Sequence, residues 1–124
     1  TPKSNRTIVM PDFLAVEIED FISRLDGIRS DDRIFTISKS YLHHEMDRGA
    51  KLAGVKRIKI HGLRHSHISL LIHMGYSALA IAERVGHEAV DITYHYAHLF
   101  PTVQSDMAVH LDSEREELIN VRKK

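Results

Sequence analysis

The chain alternates between apolar stripes at helical spacing and short polar or glycine-bearing breaks. Leu14, Ile18, Phe21, Ile22 and Leu25 fall on one helical face, while Glu17, Glu19 and Asp20 point away from it. Pro11-Asp12 opens this first helix and Asp26-Gly27 ends it. Ser38 to Leu52 repeats the amphipathic pattern and closes at Ala53-Gly54. A third helix starts at Leu63, carries Ile68, Leu70, Leu71 and Ile72, and ends at Gly75. Ala78 to Val85 is short, with Gly86 at its C-terminal cap, and Ala89 to His95 makes another short helix. Pro101 breaks the pattern before a weaker helix from Thr102 to His110. Ser113 and Glu116 then read as the capping box of a last helical segment. Arg6 to Met10 is β-branched and stopped by Pro11, which predicts a short strand. Arg33-Ile34-Phe35 is either another short strand or an extended buried segment. The fold expected is mainly α with a small N-terminal β-element, an α+β domain without internal repeats.

At 124 residues the chain is one domain by length and long enough to bury a core. With 43% hydrophobic and 27% charged residues it has the make-up of a soluble globular protein. It holds no cysteine, which excludes disulfides and thiolate metal sites and agrees with a cytoplasmic setting. No apolar run reaches membrane-spanning length, so a membrane partner is not expected. The formal net charge is zero, yet the charges are segregated. Asp12 to Arg33 carries seven acids against three bases, whereas Arg48 to His67 carries six bases and no acid. Binding to DNA needs local positive potential rather than a basic total, and Arg57 and Lys59 lie in that basic stretch. The same stretch also reads as a solvated surface balancing the acidic helix.

Three small constellations could carry chemistry. His61 and Arg64 lie three apart, so they share a helical face at the start of a helix, where backbone N–H groups and the dipole favour an anion. An Arg there can grip a phosphate through two parallel hydrogen bonds. Gly86-His87 brings a second imidazole 23 residues after Arg64, and Tyr96 follows nine residues after His87. Each piece alone is ordinary: a surface pair, a helix stop with its capping His, a packed tyrosine. Together, a phosphate-gripping Arg, two imidazoles and a phenol are the parts needed to cut a DNA strand with neither metal nor ATP.

The order and spacing resemble the C-terminal catalytic domain of the tyrosine recombinases, the phage-integrase family. His61-Gly62-Leu63-Arg64-His65 looks like that family's His-x-Leu-Arg-His box, and Ile81 to His87 resembles the segment that delivers the second imidazole. Tyr96-Ala97-His98-Leu99-Phe100-Pro101 is similar to the nucleophile segment of integrases from Gram-positive mobile elements. Lys3, a few residues before Pro11, fits the catalytic Lys that members carry on a β-hairpin. The resemblance implies Lys3, His61, Arg64, His87 and Tyr96 as catalytic residues, and DNA contact by Arg57, Lys59 and His65. It implies double-stranded attachment sites as partner, a homo-tetramer on DNA, no cofactor and a 3′-phosphotyrosine intermediate. Within it Tyr96 is the nucleophile, His61 the base or proton relay, and His87 a phosphate ligand.

One departure matters. Members carry a further catalytic Arg before the hairpin, but Arg6, Arg24 and Arg29 all lie after Lys3. The chain is therefore expected to be a partial catalytic domain, without its upstream part and N-terminal DNA-binding domain, and inactive alone. Three other readings compete. Tyr94 is a rival nucleophile two residues before Tyr96. The helices meeting between Gly75 and Ala78 can pass for a helix-turn-helix, which would make a non-enzymatic DNA-binding module or a catalytically dead relative. Ten histidines also invite a metal, but His61 and His65 lack the Glu of a zinc-protease helix. After Pro101, Val109, Leu111, Leu118 and Ile119 can serve either the chain's own core or a neighbouring subunit, where the family docks this segment.

Overall fold

The structure, a computed structural model, describes residues 5–123. Among the described residues six helices follow one another: α1 (Asp12–Ser23), α2 (Lys39–Ala53), α3 (Gly62–His73), α4 (Ala78–Val85), α5 (Ala89–Tyr96) and α6 (Gln104–Arg122). A 3₁₀ turn, Ala97–Leu99, extends α5.

Local signals account for most helix ends. The Ser38 hydroxyl accepts the Tyr41 N–H at 3.1 Å and starts α2; the Ser77 hydroxyl accepts the Ala80 N–H at 3.2 Å and starts α4. The Pro11 carbonyl takes the N–H groups of Leu14 and Ala15 and so begins α1. Gly86, at φ +76, lets the chain leave α4 through the left-handed region, with its N–H on the Ala82 carbonyl.

The core sits where α3, α4 and α5 meet. Ile68 and Ile72 of α3 pack with Ile81, Ala82 and Val85 of α4, and Ile92 and Tyr96 of α5 complete the cluster. Ile68, Ile81 and Ile92 are fully enclosed. Each such side chain contributes about 1.5–3 kcal/mol by leaving water, so the three short helices hold one another. The apolar stripe of α1 behaves differently. None of its residues is buried, and Phe21 instead stacks on Phe35 with ring centroids 5.4 Å apart. Neither α2 nor α6 has a buried residue, and Val109, Leu111 and Leu118 all face solvent.

Two expectations are corrected. Among the described residues there is no strand, so the β-element expected at Arg6 to Met10 is an extended segment without a ladder. A strand needs a neighbouring backbone, and here a side chain takes that place: Arg84 Nη1 donates to the Val9 carbonyl at 3.0 Å. Arg6 Nε returns the contact to the Arg84 carbonyl at 2.9 Å. Between this segment and α3–α4 lies a cavity of about 650 Å³ whose walls include Ile8, Val9, Phe13, Leu70 and Met74. The second correction is at the C-terminus, where one continuous helix replaces two. Ser113 is not a cap; its hydroxyl donates to the Val109 carbonyl at 3.1 Å, one turn back.

Candidate active site

The three core helices bring their chemically active residues to one end of the cluster. Arg64 stands in the first turn of α3 and extends across to α4, where Nη2 donates to the Val85 carbonyl. That carbonyl belongs to the last turn of α4, where unsatisfied oxygens and the negative dipole end attract a cation. Arg6 does the same to the neighbouring carbonyl of Arg84. Two guanidinium groups thus bracket the turn that carries Gly86 and His87. The fit is close: a Cβ on Gly86 would lie 2.6 Å from Arg6 Nη1.

His87 follows immediately. Its imidazole pKa is held below the ordinary value of 6.5, first because surrounding chain desolvates the cation, then because Arg64 repels it. Asp91 opposes the shift, while His95 and His61 add to it, so these groups share one electrostatic neighbourhood.

Tyr96 ends α5 and closes the site from the other side. It retains 9% of its exposure, whereas Tyr94 retains 80%, so the two tyrosines point into different surroundings. The Tyr96 hydroxyl shares a hydrogen bond with Nδ1 of His65. The His61 ring meets the His65 ring edge-on, with centroids 5.0 Å apart, and the His65 and Tyr96 centroids are 6.1 Å apart. His61, His65 and Tyr96 therefore form a continuous file from the start of α3 to the end of α5. Tyr94 instead stands outside it, edge-on to His95.

The structure thus brings together Arg64, His61, His65, His87 and Tyr96. Lys3 lies outside the described residues. Lys59 is exposed. Arg57 is turned onto its own chain, with Nε on Asp47 and Nη1 on the Ile58 carbonyl, and the Asp47 carboxyl is held below its usual range mainly by that bond. The expectation that free N–H groups at the start of α3 favour an anion is corrected. The Gly62, Leu63 and Arg64 N–H groups donate to the carbonyls of Lys59, Ile60 and His61 at 2.8, 3.1 and 3.1 Å, so anion binding there falls to side chains. Sequence reasoning missed the contact of His65 with the phenol, since it depends on how α3 and α5 pack. It also missed Arg6 against Gly86; the adjacent glycine and extended segment gave no sign of it. Among the described residues no three His, Asp or Glu side chains converge as a metal site.

The model of the phage integrase family matches residues 2–102, and the chain belongs to that family. It is similar to the ICEBs1 integrase of Bacillus subtilis, with 48% identity over 56 residues, which cover 44% of this chain and 15% of that protein. It is also similar to the integrase of Salmonella phage P22, with 33% identity over 63 residues, or 51% of this chain and 16% of that protein. The chain thus spans only about a sixth of the curated relatives it matches. No solved structure matches it.

Proposed function

We propose that this chain is the nucleophile-bearing part of the catalytic domain of a site-specific recombinase. That recombinase would integrate a phage or another mobile element. The observation that carries the reading is the convergence of Arg64, His87, the His61–His65 pair and the Tyr96 hydroxyl at one end of α3–α5, in a chain of the phage integrase family.

In this reading the Tyr96 oxygen attacks a DNA phosphodiester. A 3′-phosphotyrosine forms and a 5′-hydroxyl leaves. The covalent link keeps the bond energy, so resealing needs no nucleotide energy source. Arg64 commits one N–H to Val85, and a guanidinium has five, so the rest remain for the non-bridging oxygens of the phosphate. His87, held toward its neutral form, is suited to hydrogen-bond the phosphate beside Arg64. Lys3 would protonate the 5′ oxygen, and Lys59 and Arg57 would meet the DNA backbone, Arg57 after releasing Asp47. The remaining catalytic Arg and the N-terminal DNA-binding domain would come from chain outside these 124 residues. The assembly on paired attachment sites would be a tetramer, in the cytoplasm; among the described residues no helix is long and apolar enough to cross a membrane.

The test is covalent trapping with the full-length protein. The DNA comes from the ends of its own element, nicked so that the cleaved strand diffuses away. A denaturation-resistant adduct is expected with the natural sequence and with Tyr94→Phe, and none with Tyr96→Phe. Adduct persisting in Tyr96→Phe and lost in Tyr94→Phe would reassign the nucleophile. DNA binding without any adduct would turn the reading toward a non-catalytic binding module.

A further inference from the structure

The hydroxyl that has to lose its proton touches His65. Resting on the recombinase reading above, we infer that His65 is the catalytic residue that holds the Tyr96 hydroxyl and accepts its proton. Three observations support it. Nδ1 of His65 shares a hydrogen bond with the Tyr96 oxygen, so no movement is needed before proton transfer. Tyr96 is buried, which denies its phenol easy help from solvent. His65 itself is exposed, so the cation formed when Nδ1 takes the proton stands in contact with water, and its ring lies edge-on to that of His61. In this arrangement His61 stands beside the base, as the next member of the file.

The step balances. With His65 neutral and protonated at Nε2, the Tyr96 hydroxyl donates to Nδ1. As the oxygen–phosphorus bond forms, the proton moves to Nδ1 and His65 becomes a cation. The phosphorus–O5′ bond breaks, and the 5′ oxygen leaves with a proton from the acid on its own side. Resealing runs the same transfers backward, and His65 returns the proton to the phenol.

The experiment is single-turnover adduct formation by the full-length protein on its nicked attachment-site DNA. The substrate is made with either oxygen or sulfur at the 5′ bridging position. His65→Asn keeps a polar amide near the place of Nδ1 but cannot take a proton. It is expected to slow adduct formation by about 100-fold or more on both substrates, with DNA affinity unchanged. Replacing Tyr96 by a fluorinated, more acidic tyrosine is expected to restore much of the rate in His65→Asn, a rescue that also shows the variant is folded. An unchanged oxygen-substrate rate overturns the inference. So does a defect cured by sulfur, which would move His65 to the leaving-group side. A loss confined to DNA affinity would leave His65 a DNA contact only. Failure of the recombinase reading looks different: either the natural sequence forms no adduct, or Tyr96→Phe still does.

Discussion

At the scale of single residues, Gly86 is the most constrained position in the site. Its φ of +76 disfavours any side chain, and a Cβ would press on the Arg6 guanidinium at 2.6 Å. Both effects fall on the turn that sets His87 against Arg64. Gly86→Ala is expected to lower unfolding free energy by about 1–3 kcal/mol in urea titration. The Arg6 guanidinium can swing aside, so the cost rests on the backbone, and a loss near zero would mean that the chain does not leave α4 through the left-handed region in solution. The two tyrosines give a contrast at the same scale. Tyr96→Phe removes a buried hydroxyl bonded to His65 and is expected to cost about 1 kcal/mol while leaving the fold intact. Tyr94→Phe, on the exposed side of α5, is expected to stay within about 0.5 kcal/mol of the natural sequence. Equal losses in the two variants, read by thermal unfolding, would contradict the burial difference. The sequence distinguished these tyrosines only through the run that follows Tyr96; periodicity along one short helix says little about which neighbour covers it. His65 shows the same limit. Its partner lies 31 residues away, and no local pattern encodes the register between α3 and α5.

At the scale of elements, legibility followed local chemistry. The end of α4 was readable because Gly86 marks it at the backbone itself, whereas the Ser77 cap at its start emerged only in the structure. The start of α2 was readable from Ser38, and its end from Gly54. Reading failed where the deciding group is distant or missing. Arg6 to Met10 has strand composition, but only a second backbone could make it a strand. Ser113 has the look of a cap, yet on an exposed helix its hydroxyl bonds back to Val109 and interrupts nothing. The apolar face of α1 was readable as a stripe, although the described chain does not bury it. The capping serines turn this into a test. Ser77 starts a core helix of eight residues, so Ser77→Ala is expected to lower global stability by about 1 kcal/mol. Ser38 starts a helix with no buried residue, so Ser38→Ala is expected to loosen α2 locally and leave the global midpoint nearly unchanged. Amide exchange resolves the two: Ser38→Ala should speed exchange in α2 alone. If both variants shift the global midpoint alike, α2 is part of the same cooperative unit.

At the scale of the whole molecule, zero net charge at neutral pH rests on ten histidines being counted as uncharged. Among them His87 resists taking a proton as the solution is acidified, because desolvation and Arg64 lower its pKa. The sign follows from linkage. Where the folded pKa lies below the unfolded one, the unfolded chain binds the extra proton first as pH falls. Stability contributed by neutral His87 is therefore complete above the unfolded value of about 6.5 and is lost as pH drops through the folded pKa. The carboxylates behave separately. Glu45, bonded to Arg48, and Asp47, bonded to Arg57, also have lowered pKa values, so their contribution is lost only in more acidic solution; both stand on α2, so that loss is expected in the local protection of α2 and not in the global midpoint. Urea midpoints should therefore decline as pH falls through the imidazole range, and His87→Gln should flatten the decline. A decline unaltered by His87→Gln would mean that His87 does not carry it. The turn holding His87 would then lie farther from Arg64 than the interlocked C-terminus of α4 implies.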